Sequence, residues 1–141
     1  MLHKLLFLLL IVSVQSNAST VFVGDSIAHG YKLYNNGKGI TKVGANPYTV
    51  YGFVKNVKLD RSDTVVLSSG ISNNCSMNKY IDRQLTYLDS KYVNIILLGN
   101  NNCAGASMRL RSSCNKYKRC TFQGIPPGPD GVHPFTYSKV F

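Results

Sequence analysis

The sequence contains no glutamate and few acidic residues of any kind. Its 141 residues include 16 Lys and Arg but only six acids, all of them Asp, so the formal net charge is +10 at pH 7. Proteins this basic commonly bind nucleic acid, anionic membranes or acidic polysaccharides. The basic residues are spread along the chain, most densely over residues 109–119, and no nucleic-acid-binding motif is present. We therefore expect no nucleic acid partner, which leaves open an anionic envelope surface, an acidic glycan or a simply solvated basic surface.

Long hydrophobic runs are equally scarce, and the clearest one lies at the amino terminus. It covers residues 5–14, follows Lys4 and precedes the small-x-small sequence Ser16-Asn17-Ala18. This order predicts a secretory signal peptide over residues 1–18, since the run is too short for a comfortable membrane span. We expect a secreted or periplasmic protein with one domain, residues 19–141, of formal charge +9. The alternative is an uncleaved leader that anchors the protein in a membrane.

Cysteine is limited to four residues, all of which follow the predicted leader: Cys75, Cys103, Cys114 and Cys120. Their spacing does not resemble a zinc site, so no metal is expected. An even number of cysteines in an exported chain indicates two disulfides. Three pairings are possible, of which we favour Cys114–Cys120 as a local link and Cys75–Cys103 as a longer one.

The rest of the chain alternates between short apolar runs and segments of helical periodicity. Strands are predicted at residues 21–23, 40–43, 64–67 and 92–98, and helices at 27–33, 48–57 and 77–88. Residues 104–128 show no strong periodicity, and a short helix is expected from residue 134 towards 140. Near-continuous apolar strands separated by helices predict an α/β domain with a parallel sheet covered on both faces. In such sheets the functional site lies beyond the carboxyl ends of the strands.

The first predicted strand runs into Gly24, Asp25 and Ser26, where a helix is expected to begin. A serine there exposes its hydroxyl, and the free N–H groups and dipole of the helix can stabilise a developing oxyanion. Turns and helix caps use the same residue types, so the motif alone does not establish a nucleophile. It is not the G-x-S-x-G elbow of α/β-hydrolases, because Ala28 occupies the last glycine position.

Histidine is scarce too, since only His29 and His133 follow the leader. His133 comes three residues after Asp130, in a stretch held between Pro129 and Pro134. A D-x-x-H turn lets the carboxylate fold back on the imidazole, which fixes the tautomer and stabilises the imidazolium. The alternative is a turn with an exposed histidine. His29, three residues after Ser26, is either a second candidate base or a surface or packing residue.

Four blocks of sequence, taken in order, resemble those of the SGNH (GDSL-type) hydrolase family. They are V-G-D-S at 23–26, V-G-A-N at 43–46, S-G-I-S-N-N at 69–74 and D-G-V-H-P at 130–134. The resemblance spans almost the whole chain after the leader. It implies a small three-layer α/β/α fold with a flavodoxin-like parallel sheet of about four to five strands. The third block has one residue more than the family's G-x-N-D, and the segment between 99 and 130 is interpreted as a cystine-tied loop in place of regular helix.

The resemblance also implies a role for each site residue. Ser26 would be the nucleophile, His133 the general base and Asp130 the residue that orients His133. The oxyanion would be held by three groups: the N–H of Ser26, the N–H of Gly44 and the side-chain amide of Asn73, with Asn74 as the alternate. Asp25 is expected to be a turn residue, and no metal or cofactor is implied.

The function implied is that of an exported serine esterase, which removes a small, acetyl-like acyl group from an envelope or extracellular glycan. A small lipase or thioesterase of the same fold would need an apolar groove near Tyr48, Phe53 or Phe135. A different class is a non-catalytic glycan- or envelope-binding module on the same fold. A basic, disulfide-stabilised lysis or toxin-like factor would explain the charge but not the ordered blocks.

Overall fold

The computed structural model describes residues 18–69, 78–99 and 105–138. The predicted leader up to residue 17 lies outside the described residues, as do Asn73, Asn74, Cys75 and Cys103. Within the described ranges, no helix has the length and apolar character needed to cross a membrane.

A five-stranded, all-parallel sheet forms the centre of the domain. Its strands are β1 (Thr20–Gly24), β2 (Lys38–Thr41), β3 (Thr64–Ser68), β4 (Asn94–Gly99) and β5 (Cys120–Gly124). Their order across the sheet is β2-β1-β3-β4-β5. This is the flavodoxin-like order of a three-layer α/β/α fold, so the predicted fold class is confirmed.

Four helices are found in the described part of the chain: α1 (Ser26–Tyr34), α2 (Pro47–Asn56), α3 (Asn78–Ser90) and α4 (Ala106–Cys114). Local sequence explains where α2 begins. The side chain of Asn46 accepts a hydrogen bond from the N–H of Thr49 at 2.9 Å, and Pro47 occupies the first turn, where its missing N–H costs nothing.

Three sequence predictions need correction. Residues 106–114 and 120–124 form α4 and β5, where we expected an irregular, cystine-tied loop. The predicted strand at 40–43 lies two residues earlier, because the N–H of Lys42 donates to the carbonyl of Gly24 (3.0 Å) and the chain then turns at Gly44, φ +81°. Residues 134–138 form no helix, although one was expected from residue 134. They run as irregular chain against α1, where Asn35 Nδ2 donates to the carbonyl of Ser138 (3.1 Å).

Two apolar clusters lie on opposite faces of the sheet. Side chains along β1 point alternately to the two faces, so Val21 and Val23 belong to one cluster and Phe22 belongs to the other. The larger cluster is covered by α2, α3 and α4. The smaller one is covered by α1 and by residues from 125 onwards, which include Val132 and Tyr137. The carboxyl-terminal segment therefore takes part in the third layer without forming a helix.

The Cys114–Cys120 disulfide, one of the two predicted, is present. It joins the last residue of α4 to the first residue of β5, and Cys114 is fully buried in the larger cluster. The disulfide thus links α4 to β5, the two elements that the hydrophobic periodicity did not predict.

Candidate active site

The end of β1 determines where Ser26 lies. Gly24 has φ +143°, and a Cβ there would overlap the backbone carbonyl of Ser68 on the neighbouring strand β3. The N–H of Asp25 donates to that carbonyl at 3.0 Å. The chain then turns directly into α1, with Ser26 as its first residue at the carboxyl edge of the sheet. Only glycine permits so close an approach at this conformation.

Asp25 is fully buried and supports the turn. Its carboxylate caps α1 by accepting a hydrogen bond from the N–H of Ile27 at 3.1 Å, and it accepts a second from Ser68 Oγ at 2.7 Å. The sequence analysis did not single out Ser68 for a role of its own. Its position as the last residue of β3, next to the predicted edge, was the signal that could have identified it.

Ser26, His133 and Asp130 lie in a continuous hydrogen-bonded series. Ser26 Oγ is 2.7 Å from His133 Nε2, and His133 Nδ1 is 2.6 Å from Asp130 Oδ2. With Nδ1 protonated and donating to the carboxylate, Nε2 is the nitrogen that can accept the serine proton. The imidazole and the carboxylate are 40% and 54% exposed, so the series is accessible from solvent.

Hydrogen bonds hold Asp130 in its charged form. Its Oδ1 accepts from the N–H groups of Val132 (2.9 Å) and His133 (2.8 Å), while Oδ2 faces the imidazole. The bond to the His133 side chain, followed by the two backbone bonds, lowers the pKa of Asp130 to about 2. The carboxylate therefore stays ionised far below neutral pH, as the orienting partner of an imidazolium must.

The segment that carries His133 is fixed on both sides of the histidine. Before it, the N–H of Ile125 donates to the carbonyl of Gly99 at 2.7 Å, and the N–H of Gly128 donates to the carbonyl of His133 itself at 2.6 Å. After it, the ring of Tyr137 packs edge-to-face on Tyr31 of α1, with centroids 4.8 Å apart. The same ring occupies the space over Gly30, where a Cβ would overlap it. Sequence reasoning missed both Gly30 and Tyr137, because their contact joins residues far apart in the chain.

His29 points away from this series. Its Nδ1 lies 2.8 Å from Thr41 Oγ1, at the end of β2, and it is partly buried. Of the two histidines in the described part of the chain, only His133 contacts Ser26. His29 instead links α1 to the end of β2 through its contact with Thr41.

Backbone N–H groups are available beside Ser26. The N–H of Ser26 belongs to the first turn of α1, where no carbonyl within the helix can accept it. The turn that carries Gly44 lies next to the end of β1, because Gly24 pairs with Thr41 in the sheet register. Among the described residues, no hydrogen bond uses the N–H of Gly44. Asn73 and Asn74, the remaining expected oxyanion donors, lie outside the described residues.

The three aromatic residues near which an apolar groove was expected for a lipase or thioesterase lie in different surroundings, and Phe135 lines a cavity together with Tyr31, Ile125 and Pro134. Phe53 packs against the larger core cluster, whereas Tyr48 and Phe135 are 62% and 77% exposed. Tyr48 and Phe135 line separate cavities of about 330 and 310 Å³. The described residues hold no group of His, Cys and Asp side chains arranged to bind a metal ion.

The arrangement at the edge of the sheet places a hydroxyl within hydrogen-bond distance of an imidazole that contacts a carboxylate. A hydroxyl, an imidazole and a carboxylate in series form the set of groups that activates a serine in several unrelated folds. Fold alone does not specify an activity, so the argument rests on these three side chains. Comparison with protein-family models, curated proteins and solved structures gives no match to this chain.

Proposed function

We propose that this protein is a serine esterase of the SGNH type that removes a small, acetyl-like acyl group from an envelope or extracellular glycan. The observation that carries the proposal is the 2.7 Å contact between Ser26 Oγ and His133 Nε2, in series with the 2.6 Å contact from His133 to Asp130. Two of the three residues come from the block at 130–134 and one from the block at 23–26, the two most specific parts of the sequence resemblance.

The reaction follows from the geometry. Ser26 Oγ attacks the ester carbonyl while His133 Nε2 takes its proton, and the same proton then passes to the departing alcohol. A water molecule deacylates the serine by the same route, with His133 again as the base. Asp130 holds the imidazole in the required tautomer and offsets its positive charge. The developing oxyanion lies near the first turn of α1, where the N–H groups of Ser26 and Gly44 serve as donors.

Two features support an exported enzyme. The predicted leader directs the chain out of the cytoplasm, and the Cys114–Cys120 disulfide is typical of proteins in oxidising compartments. The small acyl group is proposed because the chain is short. A small lipase or thioesterase is the alternative, and the cavity of about 310 Å³ lined by Phe135, two residues after His133, is the feature that favours it.

The test is hydrolysis of p-nitrophenyl acetate by the purified, oxidised chain. We expect Ser26→Ala and His133→Ala to abolish turnover, and Asp130→Asn to lower it by about 10⁴-fold, because the amide holds the wrong tautomer. His29→Ala is the matched control, since it removes the other histidine and its bond to Thr41 without touching the series. Because Asp130 has a pKa of about 2, its ionisation accounts for no loss of activity above about pH 4.

Labelling with a fluorophosphonate probe separates a true nucleophile from incidental hydrolysis. The probe is expected to modify Ser26 in the unsubstituted chain and in His29→Ala, and to leave Ser26→Ala unlabelled. Equal hydrolysis in all variants, with no labelling of Ser26, would contradict the proposal. A folded chain that is neither labelled nor active would favour the non-catalytic binding module.

A further inference from the structure

A groove lined by tyrosines lies between α2 and α3, on the face of the sheet opposite α1. Two adjoining cavities of about 330 and 440 Å³ form it, and both are lined by Tyr51 and Arg83. We call it the tyrosine groove and define it by six residues that line it: Tyr48, Tyr51, Lys55, Tyr80, Arg83 and Tyr87.

Cations lie over the rings of Tyr51, Tyr80 and Tyr87 in the groove. Lys55 Nζ is 4.3 Å from the centre of the Tyr51 ring, and the Arg83 guanidinium is 5.6 Å from that of Tyr80. Two further lysines take part at the ends: Lys79 lies 5.2 Å over Tyr80 and Lys91 lies 5.1 Å over Tyr87. The rings also contact one another, with Tyr48 and Tyr80 edge-to-face at 5.4 Å. Phenol hydroxyls, ring edges and positive charges thus alternate on one surface.

The positive charges of the groove are not neutralised by acidic residues that line it. Asp82 is the one acid among the described residues that line it. Its carboxylate is already paired with Lys116 at 3.6 Å. Lys55 and Arg83 are both exposed, so their charges face solvent. The groove therefore matches an extended ligand that carries regularly spaced negative charges.

The groove opens at the edge of the sheet where Ser26 lies. α2 begins at Pro47, three residues after Gly44, and Tyr48 is in its first turn. Gln84 of α3 ties this end together, because its Nε2 donates to the carbonyl of Pro47 (2.8 Å) and to Ser69 Oγ (3.0 Å) beyond the end of β3. From Gln84 to Ser90, α3 extends ~9 Å away from that edge. One end of the groove therefore lies at the same edge of the sheet as Ser26.

We propose that the tyrosine groove binds a run of uronic acid residues in an acidic polysaccharide, and that the ester cleaved at Ser26 belongs to this class of glycan. The second half rests on the proposed esterase function. Each uronate offers a carboxylate for a lysine or arginine and hydroxyl groups that can form hydrogen bonds with the tyrosine phenols. Single-stranded nucleic acid also binds aromatic, basic grooves, but it needs open ring faces for base stacking. Here cations already cover the faces of Tyr51, Tyr80 and Tyr87.

Binding is tested by calorimetry on the full chain carrying Ser26→Ala, so that no ester is turned over. The probe is an oligogalacturonate, compared with a neutral cello-oligosaccharide of the same length, an oligothymidylate and phosphatidylglycerol vesicles. We expect binding of the oligogalacturonate alone, weakened by added salt. Lys55→Gln/Arg83→Gln is expected to weaken it about tenfold or more. Lys58→Gln/Lys118→Gln is the matched control, which removes two exposed positive charges outside the groove and should change binding less than about twofold.

Each other outcome overturns the inference. Equal weakening in the two double variants would mean that net charge, not the groove, binds the glycan. Binding of the neutral oligosaccharide with equal affinity would remove the role of the carboxylates. Preference for the oligothymidylate or the vesicles would assign the surface to another ligand class. Failure of the esterase proposal is distinguishable, since glycan binding would then persist in a chain that does not hydrolyse p-nitrophenyl acetate.

Discussion

Substitution of Gly30 tests how the carboxyl-terminal segment is held on α1. Gly30 lies in the middle of α1, directly beneath the Tyr137 ring, and a Cβ there would overlap that ring. An alanine inside a helix ordinarily stabilises it by about 0.5–1 kcal/mol relative to glycine. Here the methyl group must displace a packed aromatic ring, which costs about 1–3 kcal/mol. We expect Gly30→Ala to lower stability by about 1–2 kcal/mol, or the Tm by about 3–6 °C per kcal/mol in a domain of this size.

The sign of the effect is expected to reverse when the ring is removed. In a Tyr137→Ala background the space over Gly30 is empty, so Gly30→Ala should stabilise the chain by about 0.5–1 kcal/mol through helix propensity. Urea unfolding of the two single variants and the double variant gives the coupling, expected to be about 1.5–3 kcal/mol. Turnover of p-nitrophenyl acetate should also fall in Gly30→Ala, because Tyr137 follows His133 by four residues. Additive effects, or stabilisation in both backgrounds, would refute the contact.

Two further perturbations test stability away from the site. Asp63 is buried, and its carboxylate accepts hydrogen bonds from the N–H groups of Ser19 and Asp60, both at 2.9 Å. Burial acts to raise the pKa of Asp63, but these hydrogen bonds outweigh it and lower the pKa below 3.8. Its stabilisation is therefore present above about pH 4 and is lost as the pH falls. In urea unfolding, Asp63→Asn should lower the free energy of unfolding by about 1–3 kcal/mol at neutral pH, and this difference from the unsubstituted chain should disappear in acid. A difference of the same size at every pH would show that the ionisation of Asp63 does not contribute to stability. Cys114→Ala/Cys120→Ala removes the disulfide between two cysteines that are 6 residues apart. It should lower the free energy of unfolding by about 2 kcal/mol under oxidising conditions. In reductant, the variant and the unsubstituted chain should have the same stability.

The central strands could be predicted from the sequence because burial on both faces selects uninterrupted apolar residues. Val65, Val66 and Leu67 of β3 are all fully buried, and the run is visible without any structure. β5 is an edge strand in which Thr121 and Gln123 are exposed, so its composition carries no such signal. α4 buries only Leu110 and Cys114, too few to give a clear helical period.

The candidate site could be predicted in its local parts only. Asp130 and His133 are three residues apart, so their contact follows from a turn, and the N-cap of α1 is a short-range feature as well. The contact between Ser26 and His133 spans 107 residues. It was expected from the family resemblance and not from any local rule. The packing of Tyr137 on Gly30 could not be predicted from the sequence of either segment, since isolated glycines and tyrosines are common in any protein.

The sheet separates the residues proposed to perform the reaction from those proposed to bind the glycan. Ser26 and His133 are held by α1 and the carboxyl-terminal segment, against the cluster that contains Phe22 and Val66. The tyrosine groove lies between helices that cover the other cluster. A change in the groove should therefore alter the KM for a polymeric substrate and leave kcat for p-nitrophenyl acetate intact. A change at Gly30 should lower kcat for both substrates and leave glycan binding intact, because the ring that it displaces lies on the opposite face.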